Sequence, residues 1–173
     1  MSRFILRLFC VTLLLSAVHA SPSRSELVHG FFKLGYSTIY DVCINAFDFS
    51  TQTRVGPSSD KADLCYEQSV NTNYQVWWPL HGTTITASLS PLEGISVAPE
   101  GPYLYFDESL LLGRTYVLLT GDGLYAKLAV RGINFEGFNV TFEYYVQMDG
   151  TRNLDTVLPV EPTTWGQVKA LYR

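Results

Sequence analysis

Two small sets of residues in this chain have types that could do chemistry. Cys43 and Cys65 could close a bridge or, with His29 and His81, make up a four-ligand zinc set on paper. Trp77 and Trp78 are adjacent, with His81 close behind, and an exposed indole there could stack on a sugar ring or another flat ligand. The zinc set lacks any closely spaced Cys-x-x-Cys or His-x-x-x-His element, so the spacing favours a disulfide and no metal. A catalytic constellation is missing: there is no Gly-x-Ser-x-Gly elbow, no His-Glu-x-x-His, and no thiol with a plausible histidine partner. The sequence therefore predicts a binding or surface-interaction module that is not an enzyme. Its candidate ligand-binding residues are Trp77, Trp78 and His81, and its partner is an unidentified small molecule or an extracellular protein or glycan.

The compartment supports the disulfide. Residues 1–20 read as a secretory signal, with Arg3 and Arg7 ahead of the apolar run 8–18 and a Val18-His19-Ala20 cleavage site. That run is about half the ~20 residues a helix needs to cross a bilayer. Phe9 precedes Cys10 where lipid attachment would want a small residue, so a cleaved signal is expected and not an anchor. The expected destination is secreted, periplasmic or cell-surface. There Cys43 and Cys65 are the two remaining cysteines, and closing their loop is worth roughly 3.4 kcal/mol by the chain-entropy argument. Acidic residues outnumber basic ones 16 to 12, and loss of the signal removes two of the basic ones. With no Lys/Arg cluster left, nucleic acid is not an expected partner. No integral membrane segment is expected after residue 20.

The elements that must position these residues are mostly strands. Runs 115–120, 124–131 and 139–147 are β-prone, the second and third with a period of two, separated by Gly121-Asp122-Gly123 and by a loop from Gly132 to Gly137. Leu124, Ala126, Leu128 and Val130 share one face, and Tyr125, Lys127, Ala129 and Arg131 the other. Val140, Phe142, Tyr144 and Val146 oppose Thr141, Glu143, Tyr145 and Gln147. This predicts a three-stranded antiparallel meander with one core face and one wet face.

Upstream, Ser37–Phe49, Ala62–Gln68 and Thr83–Leu89 read as further strands, and Leu27–Tyr36 as strand or loop, broken by Gly30 and Gly35. Ser50–Asp60 and Pro91–Pro102 read as turn and loop. Asp48, Asp60 and Asp63 lack the Asp-x-Asp-x-Asp-Gly order of a calcium loop and read as a solvated turn. Adjacent tryptophans in a strand face opposite sides, so one of Trp77 and Trp78 belongs to the core. Thr164 with Gln167, followed by Trp165, Val168 and Leu171 at helical spacing, predicts a short C-terminal helix. Asn139-Val140-Thr141 would be a glycosylation sequon in a eukaryotic source, at the start of a strand. The expected fold is thus all-β: a single antiparallel sandwich or barrel-like domain over 27–173, after a flexible leader at 21–26.

Over about 47–173 the chain resembles secreted bacterial modules of the HmuY-type haem-binding family. The resembling residues are Phe47 to Thr51, Ser58 to Asp60, Ala62 to Leu64, Gly113 to Val117, Asp122-Gly123, Tyr125 to Lys127, Val140 to Tyr144, Asp149 to Asn153 and Thr164 to Tyr172. The resemblance implies an all-β extracellular domain and, as in the haem carriers of that family, haem held by two axial histidines. Here the pair would be His29 and His81, of which His29 lies outside the resembling region, with Met148 or a tyrosine as the other axial candidate.

Overall fold

The computed structural model describes residues 27–37, 42–68, 74–105 and 109–156. Among the described residues, ten strands form two antiparallel sheets. The larger is six-stranded and curls like half a barrel, in the order β2 (Val42–Cys43), β1 (Leu27–Ser37), β10 (Asn139–Gln147), β9 (Tyr125–Asn134), β8 (Thr115–Leu119), β7 (Thr84–Ser88). The smaller is four-stranded, in the order β4 (Thr53–Val55), β3 (Ala46–Asp48), β5 (Leu64–Gln68), β6 (Gln75–Pro79).

The β8–β9–β10 meander forms as its alternation requires. Ala126, Leu128, Val130, Val140, Phe142, Tyr144 and Val146 all point into the core between the sheets. Across from them pack Phe47, Leu64, Tyr66 and Trp77 of the smaller sheet. Burying a large apolar side chain of this kind contributes about 1.5–3 kcal/mol, so this shared core holds the two sheets together. β9 runs on to Asn134, past the expected break at Gly132, because a bulge at Arg131 lets Gly132 pair with Thr141 while Val130 pairs with Phe142.

β1 resolves the ambiguity at Leu27–Tyr36 in favour of a strand, pairing with β10 from Leu27 to Gly35. Gly30 does not break it. A Cβ there would lie 2.6 Å from the Tyr144 hydroxyl oxygen, so the bare backbone makes room for the ring of the residue opposite. The Cys43–Cys65 disulfide, with Cα atoms 6.2 Å apart, joins β2 of the larger sheet to β5 of the smaller.

Two expectations are corrected. Ser50–Asp60 is not all turn, because Thr53–Val55 forms β4 against β3. Asp48 closes this hairpin by accepting the backbone N–H of Ser50 and Thr51 and both of their hydroxyls. Nor is the outer face of the meander wet throughout. The segment after β7, with a 3-10 turn at Leu92–Gly94, folds back as a strap and pairs with the chain beyond β10. Ala98 N–H donates to the Arg152 carbonyl, and Leu154 N–H to that of Ser96. Ile95, Ala98 and Leu154 cover Val117, and Lys127, read as solvent-facing, is fully buried beneath them. The signal at 1–20, the leader at 21–26 and the C-terminal helix near 164–173 lie outside the described residues; among the described residues there is no α-helix.

Candidate functional site

The tryptophans divide as strand geometry demands. Trp77 is fully buried, edge-on to Tyr116 and Phe142 at ring separations of 6.0 and 5.5 Å. Trp78 points outward and is 47% exposed. Its cross-sheet row runs through Cys65 and Ala46 to Val55, none of which carries a strong hydrogen-bonding side chain.

The histidines are not brought together. His29 lies on the outer face of β1, its ring stacked on Tyr145 at 4.4 Å and its Nε2 2.9 Å from a Glu143 carboxylate oxygen. Arg131 holds the other Glu143 oxygen at 2.6–2.7 Å. Burial acts to raise the Glu143 pKa, but the hydrogen bonds from Arg131 and His29 and their electrostatic pull outweigh it and keep the carboxyl below its ordinary value. His81 sits in the exposed turn leading into β7, in a left-handed conformation with φ 47°. β1 and β7 are four strand spacings apart, on the order of 19 Å along the sheet surface. Met148, the other named axial candidate, accepts a contact from Gln52 Nε2 at its sulfur, 3.4 Å away.

Asp63 is more than a solvated turn acid. It is buried, accepts Phe49 N–H at 2.8 Å and the Thr83 hydroxyl at 3.0 Å, and so ties the smaller sheet to the turn before β7. Burial pushes its pKa up to about 6; those two hydrogen bonds oppose the rise, and Asp122 and Asp48 add to it. Among the described residues, no group of three or more His, Cys, Asp or Glu could hold a metal ion.

A concavity lies elsewhere. A cleft of about 690 Å³ opens between β7 and the strap, within the ~300–1,000 Å³ range of ligand sites. Thr86, Ser88 and Val117 line the β7–β8 side, and Ile95, Ser96, Val97, Pro99 and Pro102 the strap side. Its polar side chains are hydroxyls, and no lining residue is an acid, a base, a thiol or a histidine. Such a surface can desolvate an uncharged ligand and exchange hydrogen bonds with it. It offers a serine nucleophile no base.

No family model matches the chain, and no curated protein is significantly similar to it. The resemblance over 47–173 thus rests on its motif residues alone.

None of Trp77, Trp78, His29 or His81 lines the cleft. The sequence did carry a trace of it: from Thr84, a hydroxyl residue recurs at every second position through Thr86, Ser88 and Ser90. On a strand, that spacing gathers hydroxyls on one face. Lys127 is the other residue missed. Its Nζ donates to the Ile95 carbonyl at 2.8 Å and lies 5.1 Å from the Tyr145 ring centre, fastening the strap that forms one wall.

Proposed function

We propose that this protein is a secreted, non-enzymatic binding module whose ligand sits in the cleft between β7 and the strap. The observation that carries this reading is the lining: hydroxyl and aliphatic side chains around a ligand-sized space, with no titratable group. An uncharged ligand suits it, because burying a charge there would find no counter-charge. The cleavable leader read at 1–20 and the disulfide joining the two sheets support an extracytoplasmic setting.

The test is a titration of isotopically labelled protein with a panel of small uncharged amides and polyols, followed by amide chemical shifts. Shifts confined to Thr86, Ser88, Ser96, Val97 and Val117 are expected. Shifts centred on Trp78, or scattered over the surface, would overturn the assignment.

A further inference from the structure

We infer that the turns meeting at Asp63 form a pH-sensitive latch between the two sheets, closed in mildly acidic surroundings and loosened as the carboxyl ionises. The latch is independent of what occupies the cleft.

Asp63 commits every polar atom it has to this end of the fold. Its N–H donates to the Phe47 carbonyl and its own carbonyl accepts Leu80 N–H, both at 2.9 Å. One carboxyl oxygen accepts Phe49 N–H, from the turn between β3 and β4. The other accepts the Thr83 hydroxyl, from the turn before β7. The Thr83 oxygen in turn accepts Gly121 N–H at 3.3 Å, from the turn between β8 and β9. β3 and β5 belong to the smaller sheet and β7, β8 and β9 to the larger, so this relay joins the two sheets.

The surrounding charges are of the wrong sign for a carboxylate. Among the described residues, those acting on Asp63 are Asp122, from the β8–β9 turn, and Asp48, at the end of β3, and both are acids. Asp60 and Lys61, just ahead of Asp63, and His81, in the turn before β7, are exposed. Arg54, on β4, lies over the Phe32 ring at 5.7 Å. Ionised, Asp63 is therefore a buried charge with two like-charged neighbours, an arrangement that costs folding free energy. Protonated, it sheds the charge and keeps the network: the new O–H donates to the Thr83 oxygen while the other oxygen still accepts Phe49 N–H. Burial leads the causes that push its pKa up to about 6. The latch is thus at full strength below the ordinary 3.8 and weakens as pH climbs through about 6. Opening relieves the cost by letting water reach the carboxylate. The Cys43–Cys65 bridge still joins the sheets, so this end opens while the fold persists.

The experiment measures amide hydrogen exchange of the disulfide-intact chain at pH 5 and pH 8, each rate divided by its intrinsic value. Protection of Phe49, Leu80 and Gly121 should fall about tenfold from pH 5 to pH 8, the change expected when opening returns the carboxyl to its ordinary range. Ala126 and Leu128, in the meander, should hold their protection. Asp63→Asn is neutral at both pH values and offers a donor and an acceptor, as the protonated acid does. It should keep the three amides equally protected at pH 5 and pH 8. If that variant does not fold, the wild-type Asp63 carboxyl carbon shift decides, because its midpoint must coincide with that of the loss of protection. Unchanged protection of the three amides in the wild type overturns the latch, as does a loss shared with the meander. So does a loss that persists in Asp63→Asn, or a carboxyl midpoint in the ordinary range.

Discussion

The Lys127 ammonium donates to the Ile95 carbonyl oxygen at 2.8 Å from a fully buried position, so a residue of the central sheet holds the strap from beneath. Burial disfavours the charged form and moves the Lys127 pKa below its ordinary 10.5, although Asp155 and Glu93 pull the other way. Between that lowered value and 10.5 the unfolded chain binds more protons, so this group makes stability rise with pH in that window. Lys127→Met keeps the stem and removes both the charge and the tether. Global stability should change by less than about 1 kcal/mol, since loss of the desolvation cost offsets loss of the hydrogen bond. The strap should loosen: amide exchange at Ala98 and Leu154 should quicken, and the alkaline rise in stability should flatten. Unchanged exchange at both amides would remove Lys127 from the role of clamp.

Asp63 predicts the opposite slope in an acidic window. Its folded pKa of about 6 exceeds the ordinary 3.8, so between those values the folded protein binds the extra proton and stability falls as pH rises. The difference corresponds to at most about 3 kcal/mol. Asp48 and Glu143 act in the other direction: for both, burial raises the pKa but hydrogen bonds outweigh it, and their contribution is lost as pH falls through the carboxylate range. Thermal unfolding should therefore be most favourable for the fold near pH 4–5 as far as these three groups decide it. Asp63→Asn should flatten the decline between pH 4 and 7, and an unaltered slope would place the buried proton elsewhere.

Alternation was a good guide wherever one face met the core and the other met whatever covered it. The meander, the strand character of Thr83–Leu89 and the division of Trp77 from Trp78 were legible for that reason. The same rule misled at Lys127, because a charge in an alternating strand reads as solvent-facing and the covering strap comes from residues more than thirty positions away in sequence, Ile95 to Lys127. β4 was hidden because Thr53–Val55 is too short to alternate and is flanked by turn residues. The cleft left only one trace in the sequence, the hydroxyls recurring from Thr84. Its walls, β7 and the strap, meet through backbone groups of Ile85 and Leu104, which side-chain identity does not report.

The two tryptophans should separate sharply on mutation. Trp77→Ala empties space between the sheets beside Tyr116 and Phe142 and should cost about 3–5 kcal/mol. Trp78→Ala loses only a half-exposed ring and its cross-strand contact with Cys65, at about 0.2–1 kcal/mol. Chemical denaturation of the disulfide-intact proteins checks both. A cost for Trp78→Ala as large as that for Trp77→Ala would mean that the outer face of the smaller sheet is covered in solution.

The histidines give the last test, because a haem carrier and a module that binds its ligand in the cleft ask different things of them. Haem iron held by two axial histidines needs both imidazoles within bonding distance of one metal. His29 is instead committed to Glu143 and stacked on Tyr145, and His81 lies across the sheet in a turn whose carbonyl oxygen packs against Gly121, so closely that a Cβ there would sit 2.1 Å from it. That contact makes the backbone at 81 the structural requirement and leaves the imidazole free to change. Asparagine tolerates the left-handed φ of 47° at position 81, which makes His81→Asn a cleaner probe than alanine. Titration of haem followed by optical absorption should give no low-spin Soret band in the wild-type protein, and the same trace for His81→Asn. A low-spin band in the wild type that His81→Asn abolishes, with thermal stability unchanged, would restore the haem carrier implied by the resemblance.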